Sequence, residues 1–305
     1  MKTTTFIIIL FCVFNNTFAT IYPIAPRPLR TLVIESDAII VGNVVSVYDR
    51  KYEGKKKKKV YYPEYKIAKI AVVETLQGKV LNDTIEIQFD PKMTCPSSDM
   101  YFEKTSAIVF LDIKNGIYST HALSYGSKTL DSSGILNYKE RISEIQKILE
   151  IKDSISQRTE TVEWLVKCAE NEATRWEGVF ELHGYKEFSN SPDDSFKKFL
   201  SQNQKARLKA TLLSSEYIGY YELELSDLIH DENSVEIDKF ILDKLKQLPQ
   251  ENYYEAYDYI EKLKHLNTSA EMTQLLKKYY EIRLESDKFE QLNNIIREFI
   301  TLAQK

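Results

Sequence analysis

The apolar periodicity of this chain changes once, at Tyr138, and that change limits the folds open to it. Across residues 36–130 apolar side chains alternate at the two-residue spacing of strands; across 138–305 they recur every three or four residues, the spacing of helices. Residues 84–89 show the first pattern most cleanly, with Ile85, Ile87 and Phe89 on one face and Glu86 and Gln88 on the other. Residues 38–47 predict a first strand, with Gly42 where a bulge or bend is expected. Residues 61–75 predict a second, and 107–113 and 117–123 a fourth and fifth joined by Asn115-Gly116, a strong hairpin signal. Residues 32–36 read as a short helical turn ahead of them. Five short strands with short connections predict a small Greek-key barrel of the OB type.

Residues 138–305 predict an all-α domain. Ile142, Ile145, Ile148 and Leu149 form one stripe; Val162, Leu165 and Val166 form another. Residues 191–194, Ser-Pro-Asp-Asp, read as a helix start with proline at the first helical position. Ser201 followed by Gln204 reads as a capping box. Ile237, Phe240, Ile241 and Leu245 make a further stripe ended by Leu248-Pro249, and residues 253–266, 272–284 and 289–303 predict three more helices. Helices of this length joined by brief polar turns pair as antiparallel hairpins. No repeat in the sequence separates a HEAT-like α-solenoid from a compact bundle, and both arrangements fit. The expected class is therefore two-domain, β then α: barrel 20–137, helical hairpins 138–305.

Residues 1–19 read as a signal peptide, with Lys2, an apolar core over 6–14, and Thr17-Phe18-Ala19 at the cleavage site. A mature chain starting at Thr20, secreted or periplasmic, is expected. The apolar core is too short to span a bilayer and no second run approaches that length, so no transmembrane segment is expected. Removing the signal takes away Lys2 alone and leaves 40 basic against 45 acidic residues. So mild an acidic excess argues against nucleic acid as a partner. The one basic block, residues 55–59, follows Gly54 between two strands and reads as a solvated hairpin tip. Cys95 and Cys168 remain after export. They fall in different domains, a bridge between them is the lesser expectation, and two thiols alone make no zinc site.

The residues of known chemistries are sparse. His121, His183, His230 and His265 form no HExxH or HxH pair. Glu181 and His183 diverge if they lie on a helix, and with no third ligand no metal site is expected. No nucleophile elbow, phosphate loop or dinucleotide fingerprint occurs, so neither catalytic residue nor cofactor is expected. Cys168 shares helical spacing with Val162 and Leu165 and reads as a buried thiol. Two features stand out instead: Arg175-Trp176, and tyrosine, which occurs 20 times. Tyr253 and Tyr257 share one helical face. Arg175, Trp176, Tyr253 and Tyr257 are the candidate partner-binding residues, weighed against a purely structural use at helix junctions.

Ser36-Asp37-Ala38-Ile39-Ile40-Val41-Gly42, the YKI and VVETLQG pieces within residues 65–78, and Cys95 ahead of Ala107-Ile108-Val109-Phe110-Leu111 carry a resemblance. The stretch 36–130 resembles the netrin-like module, the OB-fold domain of tissue inhibitors of metalloproteinases and related exported bacterial proteins. The resemblance implies a barrel, export and protein binding. In the inhibitors a mature N-terminal cysteine chelates the protease's zinc. Here the mature start is Thr20-Ile21-Tyr22-Pro23, without cysteine, so that route is not expected. The leading expectation is an exported, non-enzymatic protein-interaction protein with a protein partner. One alternative is an inhibitor or regulator of an exported protease acting through another edge of the barrel. A further one is a hydrolase with an unrecognised inter-domain site.

Overall fold

A computed structural model describes residues 24–50, 65–93, 97–184, 195–229, 234–249, 255–285 and 288–305. The signal peptide, the 55–59 lysine block, Cys95, the 191–194 helix start, His230 and Tyr253 lie outside the described residues. The chain divides into two compact units, one of residues 1–27 and 31–131 and one of residues 28–30 and 132–305.

The first unit is a closed five-stranded barrel. A short helix, α1 (Leu29–Glu35), leads into β1 (Ala38–Asp49), β2 (Lys66–Gln77), β3 (Thr84–Phe89), β4 (Ser106–Lys114), β5 (Ile117–Thr120) and β6 (Ser127–Leu130). β1 pairs antiparallel with β2 along one edge and with β4 along the other; β2 continues to β3, β3 meets β5 in parallel at Ile87 and Tyr118, and β5 returns to β4. That circuit leaves none of the five with a free edge to aggregate. The register of β1 on β2 slips between Val41 and Gly42, at the expected bulge. Ala38, Ile40, Ala68, Ile70, Ile85, Ile87, Phe89, Val109 and Leu111 fill the interior. Ile39, Ile108 and Phe110, on the opposite faces of β1 and β4, are also buried, which is why these two strands read as unbroken apolar runs. Asn115 (φ 54°) and Gly116 (φ 76°) make the two-residue turn between β4 and β5, where both central positions need positive φ.

The fifth strand is shorter than the sequence suggests. Ala122 and Leu123 adopt positive φ, a 3-10 turn occupies Leu123–Gly126, and β6 then extends the sheet along β4. Beside this corner the barrel buries a polar cluster. Asp99, 3 % exposed, accepts hydrogen bonds from the Ser98 hydroxyl at 2.8 Å and from the Thr120 hydroxyl, and Thr120 also meets the Tyr101 hydroxyl at 2.6 Å. Burial pushes the Asp99 carboxyl above its ordinary value, although both hydroxyls pull it back.

The second unit is all helical: α2 (Ser132–Leu149), α3 (Ser154–Glu170), α4 (Arg175–His183), α5 (Gln202–Leu213), α6 (Tyr220–Ile229), α7 (Val235–Gln247), α8 (Ala256–Leu263), α9 (Ala270–Ile282) and α10 (Phe289–Ala303). Helix α2 starts six residues before the expected boundary at Tyr138; Ser132-Ser133-Gly134 are weak helix formers with no apolar stripe, so nothing in the sequence signals this first turn. Local signals act as the sequence implies. The Ser201 hydroxyl accepts from the Gln204 amide at 3.3 Å and the Gln204 side chain from the Ser201 amide at 2.9 Å, completing the capping box of α5.

The hairpins α3–α4, α5–α6, α7–α8 and α9–α10 stack in two rows. First helices touch first helices (α3, α5, α7) and second touch second (α4, α6, α8); the last hairpin is turned round, with α10 against α7. Paired residues on stacked hairpins lie about one hairpin apart: 44 for Arg207 and Glu163, 41 for Tyr259 and Ile218, 38 for Lys262 and Glu224. This is two-row solenoid stacking, with a period close to that of HEAT repeats. Within the first hairpin α3 and α4 approach closely at Gly178, where a Cβ would stand 2.3 Å from the Leu165 carbonyl and 2.5 Å from the Ala169 nitrogen.

Gly178→Ala is expected to destabilise the helical unit by about 1–3 kcal/mol through overpacking, read by urea denaturation. Asp99→Asn tests the buried carboxyl of the barrel. Because the folded-state pKa of Asp99 is raised, its contribution to stability is complete below the unfolded value and is lost as pH rises through the folded one. The melting temperature of the Asp99→Asn variant relative to wild type should therefore climb as pH rises above the ordinary carboxyl range; a flat difference would contradict the assignment.

Candidate functional site

Polar residues on the second row of helices converge on a cleft of about 570 Å³, lined by His183, Lys197, Asp227, Glu261, Lys262 and His265. The elements dictate this convergence. His183 ends α4, Glu224 and Asp227 lie one turn apart on α6, and Glu261 and Lys262 come from α8. Glu181 and His183 diverge because they stand two apart on a helix: Glu181 is buried, and His183 reaches the cleft.

The geometry is that of a charge network. The Lys262 ammonium donates to Glu224 Oε1 at 2.9 Å and Asp227 Oδ2 at 2.5 Å. Burial pulls the Lys262 pKa down, hydrogen bonds to Asp227 and Glu224 push it up, and the second effect wins. His183 Nε2 lies 2.8 Å from the Glu224 carbonyl oxygen and 3.7 Å from Glu224 Oε2. Lys197 reaches the Asp227 carbonyl, and His265 Nε2 meets Asp238 Oδ2 at 3.1 Å. The cleft can hold a cation or hydrogen-bond a polar ligand. No serine, threonine or cysteine is among its six lining residues. Cys168 is a free, buried thiol whose pKa burial pushes well above its ordinary value.

The residues singled out from sequence have separate fates. Arg175 is 9 % exposed and is not a surface anchor. Its guanidinium pairs with Glu222 and its Nε donates to the Ala169 carbonyl at 3.2 Å, joining α4 to α6 and α3. Trp176 is half-buried, its ring 5.3 Å from that of Phe180 one turn on. Tyr257 is half-buried on α8, with the Arg283 guanidinium 4.1 Å above its ring and Tyr280 edge-on at 6.5 Å. Tyr257 thus lies on α8, the helix that carries Glu261 and Lys262, and Arg175 and Trp176 open α4; the structure does not bring the three together as one site.

Three tyrosines outside that set are left exposed around the turn into α6: Tyr217 (63 %), Tyr220 (47 %) and Tyr221 (42 %). Elsewhere in the stack Trp164, Tyr259, Tyr279 and Phe299 are buried, while Phe199, Tyr280 and Phe289 are exposed at separate places. On the barrel, Met93, Met100 and Phe102 are exposed in the connection from β3 to β4. No protein-family model matches the chain, and no curated protein matches it significantly.

Arg175→Met is expected to cost roughly 3 kcal/mol by stranding Glu222 in a mostly buried site, measured by chemical denaturation of the whole chain. Unchanged stability would show that the pair is dispensable to the stack.

Proposed function

We propose that the chain is an exported, non-enzymatic protein-interaction scaffold, a netrin-like barrel followed by a HEAT-like stack of helical hairpins. The observation that carries this reading is the group of exposed tyrosines at 217, 220 and 221. Tyrosine gives large contact area at low entropic cost, and three such rings within five residues suit a protein partner better than solvent. The apolar core over residues 6–14 supports export. No helix among the described residues is long and apolar enough to cross a membrane.

The exposed Met93, Met100 and Phe102 favour a second reading. They would let the barrel dock on an exported protease through the β3–β4 connection, and inhibition by that route needs no N-terminal cysteine. A panel of exported proteases assayed with the full chain and with its Phe102→Ser variant tests it; no inhibition by the wild type ends it.

For the leading reading, the mature protein is immobilised and exposed to extracellular proteins of its source. A triple change, Tyr217→Ser, Tyr220→Ser and Tyr221→Ser, should reduce retention of the captured partner roughly tenfold or more with little change in melting temperature. Equal retention by the triple variant, or no retained protein, would overturn the reading.

A further inference from the structure

The exposed tyrosines at the turn into α6 stand in a negative field. Glu216, exposed, precedes Tyr217, and the Tyr217 hydroxyl donates to Glu255 Oε2 at 3.2 Å. Neither carboxylate is in an ion pair among the described residues. The cations nearby are engaged. Arg175 answers Glu222, and the Lys244 ammonium donates to the Glu216 carbonyl at 2.5 Å and stands 5.4 Å from the centre of the Phe240 ring. Two residues of α8 register the excess. Burial first, and then Tyr217, Glu255, Glu222 and Asp258, push the Tyr259 hydroxyl above its ordinary value. Burial likewise raises the Asp258 carboxyl; Lys262 pulls it back, and Glu224, Glu261 and Glu255 add to the rise.

A second, independent observation is how the helical unit covers its other rings. Arg158 lies 4.4 Å and Lys198 5.3 Å from the centre of Phe199, which is 39 % exposed. Arg283 lies 4.1 Å from that of Tyr257. The face of an aromatic ring is negative and attracts a cation, which is what these side chains supply from within the chain. Tyr220 meets the Tyr221 ring edge-on at 5.5 Å, and no cation of this chain stands over it among the described residues. Its exposed ring, beside Glu216 and Glu255, is matched by positive charge from outside.

We propose that the tyrosine patch takes a basic segment of its protein partner, with arginine or lysine side chains over the rings of Tyr217, Tyr220 and Tyr221 and with Glu216 and Glu255 countering their charge. The inference rests on the partner-binding reading and names the chemistry of the partner. Arginine suits the site better than lysine, because its planar guanidinium stacks on an aromatic face and reaches a carboxylate at the same time.

The test titrates the full mature chain with a capped hexa-arginine peptide, and with hexaglutamate as control, by calorimetry at about 0.15 M salt, where long-range attraction is screened. Hexa-arginine should bind and hexaglutamate should not. Changing the three tyrosines to serine should weaken binding roughly tenfold or more, whereas changing them to phenylalanine, which keeps the ring faces, should hold it within about threefold. Glu216→Gln with Glu255→Gln should also weaken it. The same charge change at Glu271 and Glu290, exposed on α9 and α10, should not. Circular dichroism should stay that of the wild type throughout. No binding of hexa-arginine overturns the proposal, as does binding that survives the serine changes or that falls equally with the Glu271 and Glu290 pair. If the serine changes abolish retention of the captured partner while hexa-arginine stays unbound, the partner-binding reading stands and the basic segment falls.

Discussion

A charge taken out of water must meet a partner, and that obligation fixes which elements of this protein stand side by side. Among the described residues Asp99, Arg141, Arg175, Glu177, Glu181 and Asp238 are each less than a tenth exposed. Each is answered from a different element or a neighbouring turn. Asp99 meets Thr120, Arg141 meets Glu144 at 3.0 Å, Arg175 meets Glu222, and Asp238 meets His265. Glu177 takes the Tyr138 hydroxyl at 2.9 Å and the Leu29 amide at 2.7 Å; Glu181 takes Arg30 at 2.6 Å. Leaving any of these unanswered would cost several kcal/mol, a large part of the marginal stability of a folded chain. Apolar burial supplies the driving force for folding, and these pairs select the arrangement in which it is realised.

The two units solve the problem of exposed backbone and apolar surface differently. The barrel closes on itself, so its backbone groups are spent within the sheet. The hairpin stack stays open, since a hairpin hides only the faces its neighbours cover. What is left outward on its second row is the cleft, and what is left at the turn into α6 is tyrosine. Groups held at fixed spacing along such a stack would lower the entropy lost on docking, were the stack used as proposed.

The barrel strands were legible because a period of two survives in a single sequence; Thr84–Phe89 appears in the structure with its expected bounds. The capping box at Ser201 was legible for the same reason, being a contact of three residues' span. Strand β6, Ser-Lys-Thr-Leu, was not, because a four-residue polar edge has no alternation to read. The choice of solenoid over bundle depends on contacts about 40 residues long, which local patterns do not encode. The cleft was missed likewise: its groups are scattered over 183, 197, 227 and 261–265, and His183 looked isolated. The signal that could have found it is spacing, since 41 residues separate His183 from Glu224 and 38 separate Glu224 from Lys262. Arg175 drew notice as an unusual arginine beside tryptophan, and it is unusual because it is an internal tie.

The ion pairs between successive hairpins also write an order into the stack. Between α3 and α5 a guanidinium, Arg207, spans Glu163 and Glu170; between α4 and α6 it is Arg175 with Glu222; between α6 and α8 the cation is Lys262 and comes from the later helix. The hairpins are therefore individually addressed. A copy of one inserted beside another would bring its cations and carboxylates to the wrong heights, so the stack resists the duplication and shuffling by which repeat proteins ordinarily lengthen.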